Sequence, residues 1–505
     1  MVRRAFLLLL TVLTFAAPAS AASGDATHIV QLRGGVSPAE GGAIVRAAGG
    51  EVTGALPIIN GVAARLAPNA QKRLAGDGRI ARVSVNARTF STRISSIRPP
   101  RDLDPSHLET AYPFSVLAPQ SWGMATGEGV GVAVIDTGID GGLPDFADQN
   151  GDSRVVAAVV TNPDAKTATD TYGHGTHVAG IIAGDGGRRD FADPAWAKYI
   201  GIAPRANLIA IKASDDEGRG TILDAIYGLQ FAVDHKDEFN IRVVNLSLSS
   251  TIAESYKTDP LDAAVESAYF HGILVVAAAG NRGTAADATA YAPANDPFAL
   301  SVGAVDDQGT ADRSDDASAE WSSAGVTQDG YAKPEIAAPG AHMVSTLAHG
   351  SAFAQMCPSC VVDNEYIRLG GTSMAAPVVS GVAALLFQQH PDWTPEQVKA
   401  TLVETARDVS GGIDEVNAAA ALGAEHPATG ADASIAPNEL IDTATGGIDY
   451  TRSSWGRSSW GRSSWGGAEW ARSSWGCTCG GSLDGELETT RSSWGAAAWL
   501  ARWDF

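Results

Sequence analysis

Cysteines and charged residues are scarce in this chain, and long apolar runs are few. The 505 residues include four cysteines, and charged residues make up 18% of the chain against 45% for hydrophobic ones. This composition supports a large core. Lys and Arg number 36 against 57 Asp and Glu, which gives a formal net charge of −21. The acidic balance argues against nucleic acid or an anionic membrane surface as a partner, and it fits a soluble exported protein.

The one prominent apolar run lies at the N-terminus. Arg3 and Arg4 precede an apolar stretch over residues 5–15, and small residues follow at 19–22. This order is typical of a secretory signal peptide, so we predict one over residues 1–22. The alternative is a membrane anchor, which is disfavoured because the run is short for a bilayer span. No later segment predicts a span, so we expect a protein that is secreted, extracellular or associated with the cell surface.

The four cysteines form two close pairs along the sequence. In an exported chain, an even number of cysteines suggests disulfide bonds, and Cys357 with Cys360 is the candidate bridge. A single residue separates Cys477 from Cys479, so a disulfide between them is sterically awkward. They either pair with a partner or stay reduced. A zinc site formed by all four is the alternative.

The most informative segment spans residues 371–377, which read GTSMAAP and run into an apolar, small-residue stretch. That stretch predicts a buried helix with Ser373 at or just before its first turn. Backbone N–H groups at such an end are unpaired and carry partial positive charge. The position therefore suits a hydroxyl that attacks a carbonyl and stabilises the resulting oxyanion. The alternative is that Thr372 or Ser373 is only a helix cap.

Other polar residues stand at the ends of predicted elements. Asp136 ends one buried strand and Asn281 follows another. The carboxyl ends of parallel strands are where open α/β sheets build their sites. His174 and His177 flank the start of a small-residue helix. Their spacing could serve a metal, but no Glu or Cys lies nearby at a familiar ligand spacing.

These motifs together resemble those of the subtilisin-like serine proteases. The order Asp, His, Ser along the chain fits that family and differs from the order in trypsin-like enzymes and α/β-hydrolases. The resemblance implies that Asp136 orients the general base His174, that Ser373 is the nucleophile, and that Asn281 supplies the oxyanion-hole amide. It makes His177 a core residue.

The implied reaction is hydrolysis of peptide bonds through an acyl-enzyme. A Ser hydroxyl needs a base, a near-neutral imidazole suits that task, and a buried carboxylate fixes its tautomer. Protein or peptide substrates are the expected partners, and no cofactor is required. One alternative is a degenerate protease fold that only binds, but all four chemical positions are occupied. Another is a carboxyl-serine protease, in which Glu would replace His174.

The resemblance covers residues 105–425, where predicted strands and helices alternate. Such alternation predicts an α/β fold with a doubly wound, mostly parallel sheet. We predict strands over 130–135, 207–212, 241–247, 273–279 and 298–305, and helices over 175–183, 221–236, 261–271, 374–389 and 395–405.

Residues 27–95 predict a separate, small α+β domain. Strands over 27–33, 51–56, 61–66 and 80–85, with helices over 37–48 and 68–75, give the ferredoxin-like order β-α-β-β-α-β. The pattern and its position resemble the inhibitory propeptides of the same family. The resemblance implies an intramolecular inhibitor that ends near residues 86–90 and is removed by self-cleavage before about Asp104. A permanent accessory domain is the alternative.

Two segments resemble the family's peptide-binding backbone, which pairs with an extended substrate by β-augmentation. The corresponding residues here are Gly218, Gly220, Ser247, Leu248 and Ser249. Many relatives have two glycines after the leucine where this chain has two serines, which would narrow the mouth of the pocket. For the two glycines, an ordinary turn is the alternative.

A structural calcium site is a further hypothesis, since several relatives bind calcium. Asp148, Asn150 and Asp152 alternate like the first ligands of an EF-hand loop, but the closing Glu is absent. A solvated acidic loop is the favoured alternative.

The composition changes after residue 425. Residues 426–450 are rich in Ala, Gly, Thr and Asp and predict a linker. Residues 451–505 repeat the motif RSSWG and hold eight of the twelve tryptophans. A period of five is neither helical nor strand-like. Because Trp and Arg bind sugars and cations, contact with a cell surface is one hypothesis, and a disordered tail is the favoured alternative.

Overall fold

The computed structural model describes residues 26–33, 35–56, 60–85, 110–187, 198–430, 432, 434–438, 441 and 446. Several predictions concern segments that lie outside these residues: the signal peptide 1–22, the inhibitory segment 86–90 with the cleavage region that follows it, Cys477 with Cys479, and the repeat tail 451–505.

The N-terminal domain has the predicted ferredoxin-like order of elements. Its four strands form one antiparallel sheet in the order β2-β3-β1-β4. Ser37 starts α1 with a capping box, because its hydroxyl accepts from the Glu40 N–H while the Glu40 carboxylate accepts from the Ser37 N–H. The elements are β1 (Ala26–Leu32), α1 (Pro38–Ala47), β2 (Glu51–Leu56), β3 (Gly61–Leu66), α2 (Pro68–Ala75) and β4 (Ile80–Val85).

The larger domain contains nine further α-helices among the described residues. They are α3 (Tyr112–Ser115), α4 (Ala118–Ser121), α5 (His174–Ala183), α6 (Ile222–Asp234), α7 (Pro260–Phe270), α8 (Ala352–Met356), α9 (Thr372–Gln389), α10 (Pro395–Glu404) and α11 (Ala418–Leu422).

Fifteen strands accompany these helices in the described part of this domain. They are β5 (Gly131–Asp136), β6 (Val155–Val160), β7 (Asn207–Lys212), β8 (Ile241–Leu246), β9 (Leu274–Ala278), β10 (Leu300–Asp306), β11 (Ala317–Ser318), β12 (Gly325–Val326), β13 (Ala332–Lys333), β14 (Ile336–Pro339), β15 (Met343–Thr346), β16 (Val361–Val362), β17 (Tyr366–Leu369), β18 (Arg407–Val409) and β19 (Ile413–Glu415).

The main sheet confirms the predicted α/β class. Its order is β18-β19-β14-β10-β9-β8-β5-β7-β6, and every neighbouring pair from β19 to β6 is parallel. The five predicted strands and the five predicted helices each begin and end within two residues of the observed bounds. The sequence did not predict β6, β14 or the small antiparallel sheet β15-β17-β16.

The centre of the sheet is buried on both faces. Every residue of β5 and β9 is buried, because helices cover the two sides of a doubly wound sheet. Helix α9 packs on β8, β9, β10 and α5. Its small residues allow this close approach: a Cβ added at Gly381 would lie 2.6 Å from the Ile202 Cβ. The helix that carries Ser373 is therefore fixed on several sides.

The described residues of segment 426–450 are not a free linker, and that prediction needs correction. Asp432 bonds to the Lys399 ammonium at 2.9 Å and accepts from the Tyr269 hydroxyl at 2.8 Å. The Asn438 N–H donates to the Glu266 carboxylate at 2.7 and 2.8 Å. These polar residues join the segment to α7 and α10, and composition alone gave no sign of such specific partners.

No helix in the described part of the chain combines the length and the apolar character that crossing a bilayer needs.

Candidate active site

Asp136 lies at the carboxyl end of β5 and is completely buried. The Thr137 N–H donates to its carboxylate at 2.6 Å. Burial raises the pKa of Asp136, while the neighbouring His174 and the Thr137 N–H oppose that rise. Since β8 runs parallel beside β5, with Asn245 opposite Val134, the two strands end at the same edge of the sheet.

His174 is the first residue of α5, and its imidazole faces Asp136. The Nδ1 atom lies 2.9 and 3.0 Å from the two carboxylate oxygens. Position 175, the next in the chain, has room only for glycine. An added Cβ there would lie 2.2 Å from the Gly138 carbonyl oxygen and 3.0 Å from an oxygen of Asp136. The pair is buried on both sides, so the contact is shielded from water.

His177 is a core residue, as the resemblance implied. Its Nε2 lies 3.1 Å from the Met343 carbonyl oxygen and 3.0 Å from the Ile367 carbonyl oxygen. Burial lowers the pKa of His177 to about 3, so the ring stays neutral at ordinary pH. Throughout the described ranges, no group of three or more His, Cys, Asp or Glu side chains could hold a metal ion.

Asp170 is a site residue that sequence reasoning did not identify. One carboxylate oxygen accepts from the Thr137 hydroxyl at 2.9 Å and the Gly173 N–H at 2.7 Å. The other accepts from the Thr176 N–H and hydroxyl at 2.8 and 2.7 Å. Asp170 therefore ties the end of β5 to the start of α5. Its position four residues before His174 was the available signal.

Ser373 is the second residue of α9 and is 1% exposed. Its hydroxyl donates to the Ser247 carbonyl at 3.3 Å, just beyond the end of β8. Pro377 lies four residues further on and has no N–H, so it cannot pair with the Ser373 carbonyl. The Ser247 hydroxyl donates to that carbonyl instead, at 2.8 Å.

Asn281 follows β9 and contacts the first residue of α9. Its side-chain oxygen accepts from the Thr372 N–H at 3.0 Å and the Thr372 hydroxyl at 3.1 Å. The Gly280 N–H donates to the same hydroxyl at 3.1 Å. With its oxygen held in this way, the amide presents its NH₂ group as the donor, which is what an oxyanion hole needs.

The four predicted chemical residues thus lie on elements that pack together. Strands β5, β8 and β9 are consecutive neighbours in the sheet, and α9 packs on β8, β9 and α5. Hydrogen bonds join Asp136 to His174, Ser373 to the end of β8, and Asn281 to Thr372.

The five predicted peptide-binding residues differ in their surroundings. Ser247 and Leu248 are buried, while Ser249 is partly exposed. The Ser247 side chain donates to the Ser373 carbonyl and so helps to hold the start of α9. Gly218 has φ 78°, and an added Cβ would lie 2.8 Å from the Tyr172 ring. A turn before Gly220 is closed by the Asp215 N–H, which donates to the Arg219 carbonyl at 2.7 Å. Backbone pairing of these residues with a substrate stays a prediction.

The three calcium candidates lie in one loop that Asp148 closes. One oxygen of the Asp148 carboxylate accepts from the backbone N–H groups of Asn150 and Asp152 at 2.8 and 2.9 Å. The other accepts from the Asn150 side-chain amide at 3.3 Å. Asp148 therefore orders its own loop, and calcium binding by these three residues stays a prediction. A disulfide joins Cys357 and Cys360 in the loop before Ser373.

Comparison with known proteins shows the family to which this chain is similar. The model of the subtilase family matches residues 127–425. Subtilisin E of Bacillus subtilis is 34% identical over 370 residues, which cover 72% of this chain and 80% of that protein. The serine protease AprX of Bacillus subtilis is 37% identical over 283 residues, 55% of this chain and 61% of that protein.

A solved structure gives the same result. Fervidolysin from Fervidobacterium pennivorans, described as a keratinolytic enzyme related to subtilisin, superposes with a TM-score of 0.53 at 26% identity. The superposition covers 80% of this chain and 61% of that one. The chain therefore spans about three fifths of AprX and fervidolysin and most of subtilisin E. The chain belongs to the subtilase family of serine proteases.

Proposed function

We propose that this protein is an exported serine endopeptidase that works through a triad of Ser373, His174 and Asp136. The observation that carries the proposal is the buried contact between His174 and Asp136, with Nδ1 at 2.9 and 3.0 Å from the two carboxylate oxygens. A proton on Nδ1 is donated to Asp136, which leaves Nε2 as the basic nitrogen.

The reaction starts when the Ser373 hydroxyl attacks the carbonyl carbon of the peptide bond. His174 takes the hydroxyl proton at Nε2, and the imidazolium that forms is stabilised by the buried Asp136 carboxylate. The same proton then passes to the leaving amine, which gives the acyl-enzyme. Water attacks the acyl-enzyme in the second half, again with His174 as base, and the carboxylic acid product leaves.

Asn281 and the start of α9 stabilise the negative charge of the intermediate. The side-chain amide of Asn281 is oriented by Thr372 and donates to the oxyanion. Backbone N–H groups in the first turn of α9 add partial positive charge beside Ser373. No cofactor takes part in this scheme.

The protein is made as a zymogen under this proposal. The ferredoxin-like domain supports the idea, because it precedes the catalytic domain as the propeptide does in the family. The segment after β4 would lie along the substrate cleft until the enzyme cuts the chain between residue 86 and about residue 104. Proteins and peptides are the substrates, bound in extended form along Gly218, Gly220 and residues 247–249. Secretion and contact with the cell surface through the Trp-rich tail belong to the same proposal.

The test compares the full chain with its Ser373→Ala variant. Mass analysis of the wild-type protein is expected to show loss of residues 27–95, together with hydrolysis of a casein or peptide substrate. Ser373→Ala is expected to keep that segment and to show no hydrolysis. Ser314→Ala, on an exposed serine, is the matched control and is expected to behave as the wild type. A Ser373→Ala protein that hydrolyses the substrate as fast as the wild type would overturn the proposal.

A further inference from the structure

One loop of the catalytic domain links the segments of all three triad residues. We call residues 347–360 the disulfide loop; it contains α8 and the bridge between Cys357 and Cys360. It connects β15 to β16, and β17 then leads within four residues to Ser373. The small sheet β15-β17-β16 packs on α5, the helix that begins with His174.

The disulfide loop is hydrogen-bonded to the backbone just before His174. The Ala352 N–H donates to the Thr171 carbonyl at 3.0 Å, and the Phe353 N–H donates to the Tyr172 carbonyl at 3.2 Å. The rings of Tyr172 and Phe353 lie 4.9 Å apart. These contacts hold α8 against the short segment that immediately precedes His174.

Phe353 also contacts the imidazole itself. The two ring centroids are 6.2 Å apart at 78°, an edge-to-face arrangement, and both side chains are buried. No side chain fits between the two segments: an added Cβ at Gly173 would lie 2.9 Å from the Ser351 hydroxyl oxygen. Phe353 thus forms an apolar wall beside the His174 ring.

A second contact joins the loop to the segment that follows Asp136. The Asp140 carboxylate accepts from the His349 N–H at 3.1 Å and lies 2.8 Å from the His349 Nδ1. The disulfide loop therefore contacts the segments that follow Asp136 and precede His174, and it is continuous with the segment that carries Ser373.

We propose that Phe353 is a positioning residue for His174, and that the Cys357–Cys360 bridge holds Phe353 in place. The inference rests on the proposed function, in which His174 carries a proton from the nucleophile to the leaving group. Asp136 contacts the ring at Nδ1, and Phe353 packs against the same ring from the disulfide loop. The Phe353 wall limits tilting of the ring and keeps Nε2 in line with the reacting atoms.

Removal of the wall is expected to slow the chemical step. Phe353→Ala is expected to lower kcat by about 10- to 100-fold with little change in KM, because small misplacements of a catalytic group are costly. The polar groups around His174 are unchanged in the variant: Asp136, Asp170 and, at the rim, Asp140 with His349.

The experiment uses full-length protein for every variant. Where a variant fails to remove its own propeptide, trace tagged wild-type enzyme cuts it and is then removed. Phe353→Leu keeps an apolar side chain and is expected to stay within about threefold of the wild type. Gln355→Ala, on an exposed residue of the same helix, is the matched control. Thermal unfolding of each variant shows whether it is folded.

A double-mutant cycle separates positioning from a general structural effect. In a His174→Ala background, Phe353→Ala is expected to cost less than about threefold in the residual rate, because the ring it positions is absent. An equal cost in both backgrounds, or wild-type kcat in a folded Phe353→Ala protein, would overturn the inference. The proposed function would stand in either case as long as Ser373→Ala is inactive.

The bridge is tested with the double variant Cys357→Ser, Cys360→Ser. It is expected to lower kcat with little change in KM, as Phe353→Ala does, but by a smaller factor. Unchanged kcat in this variant would show that the bridge does not hold Phe353, which would overturn that part of the inference.

Discussion

Replacing Asp136 by Asn tests the electrostatic part of the mechanism with almost no change in shape. The amide has the size of the carboxylate but carries no charge, and its NH₂ group can face the His174 ring. Two effects follow. The imidazolium of the transition state loses its counter-charge, and an Asn that donates to Nδ1 favours the tautomer with its proton on Nε2, which cannot accept the Ser373 proton.

The size of the first effect follows from the distance between the two groups in the structure. Coulomb's law at the 2.9 Å between Nδ1 and the carboxylate oxygen, with an effective dielectric constant of about 20, gives roughly 6 kcal/mol. At about 1.4 kcal/mol per factor of ten, this energy corresponds to a loss of about 10⁴-fold in kcat. The charges are spread over both groups, so a loss of about 10³-fold is the lower end of the expected range.

The assay is steady-state hydrolysis of a chromogenic peptide by matured protein. Asp164→Asn, on an exposed aspartate, is the control for the loss of one negative charge. Thermal unfolding shows that the Asp136→Asn protein is folded. A folded Asp136→Asn enzyme that retains more than about a tenth of the wild-type kcat would refute the reasoning, since the buried carboxylate would then contribute less than about 1.4 kcal/mol.

Three other predictions concern the oxyanion donor, a buried acid and the C-terminal segment. Asn281→Ala is expected to lower kcat by about 10²- to 10³-fold at nearly constant KM, a figure that comes from a subtilisin and is carried over to this relative; a large rise in KM with unchanged kcat would argue against an oxyanion donor. Burial raises the pKa of Asp307 to about 7. The proton that it binds in the folded state therefore stabilises the fold at low pH, and this contribution is lost as pH rises from about 4 to 7. The test uses a Ser373→Ala background, which prevents self-digestion. Between pH 5 and pH 8, the free energy of unfolding of the Asp307→Asn variant is expected to fall by about 3 kcal/mol less than that of the protein that keeps Asp307. Parallel curves of unfolding free energy against pH for the two proteins would contradict this. Asn438 donates through its side-chain amide to the buried carbonyls of Tyr256 and Asp259. Asn438→Ala leaves both carbonyls without that donor, so denaturant unfolding is expected to show a loss of about 3 kcal/mol, and an unchanged midpoint would contradict the docking of this segment.

The sequence predicted those parts of the site that depend on local pattern. An apolar run that ends in Asp136, and a small-residue helix that begins near Ser373, each carry their own periodicity and end signals. Parallel strands bring their carboxyl ends to one edge, so the meeting of these motifs followed from the predicted topology. The starts of α6 and α10 were also predictable, because a capping box marks the first turn of each helix.

Other features depend on contacts between distant segments and left little trace in the sequence. The Ser247 hydroxyl pairs with the carbonyl that Pro377 leaves open, a link that only the packing of α9 on β8 creates. Phe353 reads as an ordinary apolar residue until the fold places it beside His174. Asp432 and Asn438 lie in a stretch of small and polar residues, and their buried partners are far away in the chain.

The most direct measurement of the central claim is labelling of the matured protein with a fluorophosphonate, followed by mass mapping of the adduct. A triad in which Ser373 is the nucleophile predicts one adduct, on the peptide that contains Ser373. The label is expected to be absent in Ser373→Ala and to form far more slowly in His174→Ala. An adduct on another residue, or undiminished labelling of Ser373→Ala, would contradict the claim.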